Sequence, residues 1–246
     1  MLPAMKTALL ALLLFAPTMA VAGQCADFAG GSAALQAAEP AARLTFIRER
    51  LKHEAPRARL YTGLWGAGYS LLALGQLALV PAMAPPERVD YYVGAIASAV
   101  TVGLVVGMPL AVMEDADAFD GRIASITAAS GSCAALAEAE KLLARDAEGE
   151  AFGVSWIMHG ANVVLNAVLG LVLGLGYGHW EAGVLDAVVG AALGEATIFT
   201  QPTQLVTDLE RYRAGDLSPP AATALRLGAG ASFTPGGFSL RVGATF

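Results

Sequence analysis

The sequence predicts a mainly α fold: a four-helix hydrophobic bundle of the membrane type, made from a duplicated helical hairpin with amphipathic helices and followed by a C-terminal β-hairpin. Three observations predict it. Of the 246 residues, 56% are hydrophobic and 15% charged, against about 25% charged in an ordinary soluble domain; the mean hydropathy is +0.57. The apolar residues gather in four blocks of roughly 20, the length that spans a bilayer as a helix. After Pro219-Pro220 the helical period gives way to strict alternation. A soluble bundle with buried helices is the competing fold class. The net charge of −6 leaves no basic stripe for phosphates and excludes nucleic acid as a partner.

Taken in order, residues 1–22 read as a secretory signal. Lys6 is the positive region, 8–15 the apolar core, and Ala20-Val21-Ala22 a small-x-small cleavage site. Residues 23–121 and 122–218 are then two helical units, and 219–246 the tail. Cys25 and Cys133 are the only two cysteines. In an exported chain such a pair closes a disulfide; in a reducing compartment the two are buried thiols.

Residues 32–59 are amphipathic and basic. Arg43, Arg48, Arg50, Lys52, Arg57 and Arg59 outnumber Glu39, Glu49 and Glu54, while Leu44, Phe46, Ile47 and Leu51 recur at helical spacing. Pro56 is expected to end this helix. Its place is either an anionic membrane surface or the outside of the bundle, with its charges in water. Two spans follow, 60–80 and 91–112, joined by a Pro-rich link at 82–90. Tyr61, Trp65 and Tyr69 suit the water–lipid boundary. Gly63, Gly66, Gly94 and Gly103 mark small faces for close helix packing. Glu114, Asp115, Asp117 and Asp120 lack the ligand pattern and Gly of a calcium loop and read as a solvated helix end.

A second amphipathic helix, 134–145, precedes spans at 152–175 and 184–206. At an offset of 94, Gly66 and Leu71 fall on Gly160 and Leu165. At an offset of 93, Pro109, Asp115 and Phe119 fall on Pro202, Asp208 and Tyr212. Apolar identities count for little, but the paired prolines argue for an internal repeat. Each is expected to kink the second helix of its unit.

The second unit is the more polar. His159, Asn162 and Asn166 share one helix face, and Glu195 lies inside the fourth apolar segment. Ionisable groups in a span are a functional hypothesis by default. They serve either an ion or proton path or as hydrogen-bonded glue between helices, the second being favoured because the first unit has Thr101 or Val102 where Glu195 stands. No catalytic constellation stands out: HExxH, GxSxG, phosphate-loop and CxxC patterns are all missing. His53, His159 and His179 fall on three segments, so neither a metal site nor a cofactor is expected.

In the tail, Leu225, Leu227, Ala229, Ala231 and Phe233 alternate with small or polar residues, as do Phe238, Leu240, Val242, Ala244 and Phe246 after the turn at 234–237. The last strand resembles the C-terminal assembly signal of bacterial outer-membrane β-barrel proteins, with Phe246 as the terminal aromatic. The resemblance covers about nine residues and implies a targeting role for Phe246; two strands cannot close a barrel of the usual eight or more.

A cleaved signal places the N-terminus, 114–150 and the tail outside the cytoplasm. The two short links then hold only Arg88 of the chain's 15 Lys and Arg residues, which inverts the positive-inside rule. The outer membrane, where that rule has no force, resolves the conflict; an uncleaved leader in the inner membrane is the alternative. The expectation is an exported integral membrane protein of a bacterial cell envelope, structural or assembly-related and not an enzyme. Its partners would be the lipid bilayer and either further copies of itself or another envelope protein. A small channel or transporter using the polar residues of the second unit is the alternative function.

Overall fold

The computed structural model describes residues 25–219 throughout and, in the tail, the backbone of 226–234 and 237–245. The leader, 1–22, and Phe246 lie outside the described residues. Helix α1 (Ala33–Ala37) is capped by Ser32, whose Oγ accepts the Leu35 amide. Helix α2 then runs for 40 residues, Pro40–Leu79, or about 60 Å at 1.5 Å per residue. Pro40 sits at its first turn, where the missing N–H costs nothing.

Pro56 does not end α2 but lies inside it. Two facts offset the lost hydrogen bond. Pro56 and Lys52, whose carbonyl is left free, are both on the solvent side. Leu51, Glu54, Ala55 and Ala58 on the opposite side are buried and carry the helix through the defect without a break. The sequence expectation failed because it weighed the local cost of proline without this packing.

Two 3-10 turns (Val80–Ala82 and Pro85–Glu87) lead to α3 (Arg88–Gly107). The chain breaks around Pro109 and resumes as α4 (Val112–Ser130), with Glu114 and Asp115 in the first turn, where the helix dipole favours carboxylates. Gly131, at φ +87°, ends α4. Then come α5 (Ser132–Gly153), α6 (Trp156–Leu171), a π-helical turn (Val172–Gly176), α7 (Trp180–Phe199) and α8 (Gln204–Ala214). Pro109 and Pro202 therefore do not kink continuous helices; each lies in a break that separates two. Residue 121, where the sequence divides the two helical units, lies within α4.

The helices form two layers. The first half of α2 packs with α4, α5 and α8 into a head, and the buried cluster of Phe46, Leu51, Phe119, Leu136, Leu143, Leu205 and Tyr212 is its core. The second half of α2 pairs with α3, and α6 with α7. These four helices are long and apolar enough to cross a membrane. They bury little of their surface: Leu64, Leu71, Ile96, Val164, Leu185 and Val188 are exposed. A soluble protein does not expose such a continuous apolar surface, whereas lipid covers it at no cost. Aromatic residues mark both ends of the second pair. Phe152, Trp156 and Phe199 lie near the head and Tyr177 and Trp180 at the far end, all exposed, about 30 Å apart along the helix as the hydrocarbon core requires.

The head has an internal correspondence in burial that extends beyond the few sequence matches. Phe46, Ile47, Arg50, Leu51 and Glu54 on α2 are buried, and so are Leu142, Leu143, Asp146, Ala147 and Glu150 on α5, each 96 residues later. Val112, Asp115, Ala116 and Phe119 on α4 are buried, and so are Leu205, Asp208, Leu209 and Tyr212 on α8, each 93 residues later.

The helical body, residues 25–219, contains no strand. All strand assignment lies in the tail, where the backbones of Arg226–Thr234 and Gly237–Thr245 run antiparallel in register. The body therefore lends no support to the expected C-terminal β-hairpin, which remains a proposal.

Candidate functional site

Charge and polarity are withdrawn from water in two places. The first is the seam between α6 and α7. Asn162 and Asn166 lie one and two turns beyond His159 on the same face of α6, and Glu195 meets them from α7. His159 Nδ1 lies 2.5 Å from Glu195 Oε2. Asn162 Nδ2 donates to Glu195 Oε1 and to the Ala191 carbonyl, both at 2.9 Å. Asn166 Nδ2 donates in turn to Asn162 Oδ1 at 2.9 Å. The structure thus brings together all four residues singled out from the sequence.

Small residues make the room. Asn162 occupies the space that a side chain on Gly194 would need, and Asn166 does the same opposite Gly190. Nearer the far end the seam changes from polar to bare backbone: a Cβ on Gly170 would lie 2.5 Å from the Gly183 carbonyl oxygen. His159 packs on the Phe199 ring, centroids 5.1 Å apart. Its side chain and that of Glu195 keep 30% and 27% exposure, so the pair is not sealed within one copy of the chain.

Polar contacts also join the two pairs of spanning helices. Tyr69 and Thr197 hydroxyls lie 3.0 Å apart, and Trp65 Nε1 donates to Thr200 Oγ1 at 2.9 Å. At the far end His179 Nδ1 lies 2.6 Å from Asp90 Oδ1. The sequence reading missed this second His–carboxylate pair, because its members are 89 residues apart in links that looked merely short.

The second place is the head. Arg43 is 2% exposed; its Nη2 bonds Glu140 and its Nε donates to Tyr212 Oη at 3.0 Å. Tyr212 donates to Glu140 Oε1 at 2.5 Å, and burial pushes its hydroxyl pKa far up. Arg50 lies 3.3 Å from Asp208 and donates to the Ser218 carbonyl at 2.7 Å. Outside, Arg48 and Lys52 hold Asp120, whose pKa their hydrogen bonds push down, and Arg59 bonds Asp117.

Two expectations are corrected here. Of the cations of α2, Arg43 and Arg50 are not in water but buried against Glu140 and Asp208, whereas Arg48, Lys52 and Arg59 are exposed, as expected of a helix packed over the bundle, and pair with acids of α4. The acidic run is correspondingly no simple solvated helix end: Asp115 is buried against Arg145. A signal for this was present. Residues 43, 46, 47, 50, 51 and 54 fall on one stripe of a helix, so Arg43, Arg50 and Glu54 had to share the side of Phe46, Ile47 and Leu51.

Cys25 and Cys133 are joined in a disulfide, Cα atoms 5.1 Å apart, which ties the first described residues to the start of α5. Among the described residues no group of three or more His, Cys, Asp or Glu is placed to hold a metal ion.

Four apolar helices beneath a charged helical head define the class: a helical integral membrane protein. No family model matches the chain, and no curated protein or solved structure matches it either.

Proposed function

We propose that this is an exported integral membrane protein of a bacterial cell envelope, structural or assembly-related and not catalytic. One observation carries the structural reading. The polar groups in the second pair of spans bond to one another: both oxygens of Glu195 are engaged, by His159 and Asn162, and Asn166 bonds back to Asn162. Interhelical bonds of this kind hold membrane helices together at about 1 kcal/mol each.

The disulfide supports export, since such bonds persist in oxidising compartments. It lies in the head, so the head would face that compartment, which leaves Arg88 as the one basic residue of the far links. That distribution opposes an inner-membrane placement with the head outside and favours the outer membrane, with the inner membrane as the alternative. The repeated burial pattern of the head supports an origin by internal duplication. The period-two tail supports a terminal β-hairpin in which Phe246 acts as a targeting signal. Its partner is a second copy of the chain or another envelope protein.

A second reading, a small channel or transporter, rests on the residual exposure of His159 and Glu195 within a span. Reconstitution into liposomes separates the two: the structural reading expects no proton or ion flux above that of empty vesicles. Cell fractionation with N-terminal sequencing tests the placement, and an inner-membrane protein with an intact Met1 would overturn it.

A further inference from the structure

We propose that Glu150 is a proton-operated latch at the joint between the head and the second pair of spanning helices. Glu150 sits in the last turn of α5 and is 1% exposed. Its Oε2 accepts the Leu205 amide, in the first turn of α8, at 2.8 Å. Its backbone carbonyl accepts Gln201 Nε2 at 3.1 Å, from the break between α7 and α8. One residue therefore ties the end of α5, which leads into α6, to both sides of the turn that leaves α7. Thr203 makes no side-chain cap to α8, so the carboxyl group of Glu150 takes the place of an N-cap.

The charges around it make ionisation unfavourable. From α2, Glu54 faces Glu150; Glu54 is itself 1% exposed, and its ion-pair partner is Arg57 at 3.5 Å. From its own helix, Asp146 is buried beside Arg145. From α8, Asp208 is buried between Arg50 and Arg211, and His53 lies near it. From α4, Asp115 takes Arg145 and Arg122. Every cation is committed elsewhere, and Glu150 has no ion-pair partner among the described residues. Its Oε1 has no hydrogen-bond partner, nor have Oε1 of Glu54 and Oδ2 of Asp146.

Burial first, and then the charge of Glu54, push the Glu150 pKa up to about 8, while the Leu205 amide works in the opposite direction. Burial likewise raises Asp146 to about 6. Glu150 thus holds its proton at neutral pH, and the joint is closed in that form. Because the folded value lies above the unfolded one, near 4.5, the contribution to stability is complete below about pH 4.5. It declines as pH rises and is gone above about pH 8. A single group of this kind changes the equilibrium by up to tenfold per pH unit across that window.

The test uses the full chain in lipid nanodiscs. Hydrogen exchange at Leu205 and Val206, corrected for the intrinsic pH dependence, should lose protection by up to tenfold per pH unit as pH rises toward 8. Glu150→Gln, which keeps shape and removes the charge, should abolish that dependence above about pH 6, the value to which Asp146 is raised, and stay protected at pH 9. The same loss of protection in Glu150→Gln, or no loss in the wild type, overturns the proposal. Should Glu150→Gln fail to fold, infrared spectra of the wild type with isotope-labelled glutamate decide: a protonated carboxyl stretch that titrates near pH 8 and survives in Glu54→Gln supports the latch, and its absence at pH 7 refutes it.

Discussion

The buried triad of Arg43, Glu140 and Tyr212 allows a quantitative test of how the head is held together. Replacing Glu140 with Leu removes the carboxylate that faces the Arg43 guanidinium, both side chains being under a tenth exposed. The remaining cation keeps only the Tyr212 hydroxyl, at 3.0 Å. Breaking a buried pair in this way costs about 3–5 kcal/mol, because an unpaired charge stays in the interior. Taking both charges away, as Arg43→Met with Glu140→Leu, should restore most of that loss, since an apolar replacement of a buried pair is close to neutral. The expected coupling between the two sites is therefore about 2–3 kcal/mol and opposes additivity. Pulse proteolysis with trypsin along a urea gradient, on detergent-solubilised protein, reads the head selectively, because the spans carry almost no Lys or Arg. Additive effects, or a single Glu140→Leu costing under about 1 kcal/mol, would refute the assignment of a desolvated ion pair.

Other outcomes are expected from the same structure. Mobility on a non-reducing gel should shift on reduction, and Cys25→Ser or Cys133→Ser should each abolish the shift; removal of a bond that closes a loop of 108 residues should cost a few kcal/mol, roughly 2–5. Tyr212→Phe should destabilise the head by about 1–3 kcal/mol, because it leaves the buried Arg43 Nε–H without its acceptor, measured by the same proteolysis. Glu195→Gln should stay within about 1 kcal/mol of the wild type in thermal stability; a loss of ion flux in liposomes with the fold intact would instead favour the transport reading. Deletion of Phe246 should misplace the protein in fractionated cells while leaving the head protease-resistant, and normal delivery without Phe246 would remove its targeting role.

The four spans were legible because a helix in lipid needs only length and an apolar surface, and both can be read along a single stretch of chain. The face shared by His159, Asn162 and Asn166 was legible for a similar reason: positions i, i+3 and i+7 superpose on any helix. That Glu195 meets this face depends on how two helices pack, and the glycines at 190 and 194 that make room for the asparagines gain meaning only with the helices side by side. The head was read least well. By itself Pro56 reads as a stop because its local cost is known, whereas the buried contacts that carry α2 through it come from other helices. Arg43 and Arg50 looked like surface charge because burial of a cation is prohibitive until its partner is in place.

Those partners are far away in the chain: Glu140 lies 97 residues from Arg43 and Tyr212 lies 169. Amino-acid order alone establishes where apolar helices run and which side of each is small, polar or charged, since these depend on neighbours within a turn or two. Which faces meet is a different matter. It decides whether a carboxylate caps a helix, as Glu150 does for α8, or pairs with an arginine, as Glu140 does with Arg43, and whether a charge sits in water or in the core. Folding settles it through contacts across the whole chain, because the desolvation of each charged group is repaid only by a partner that packing delivers.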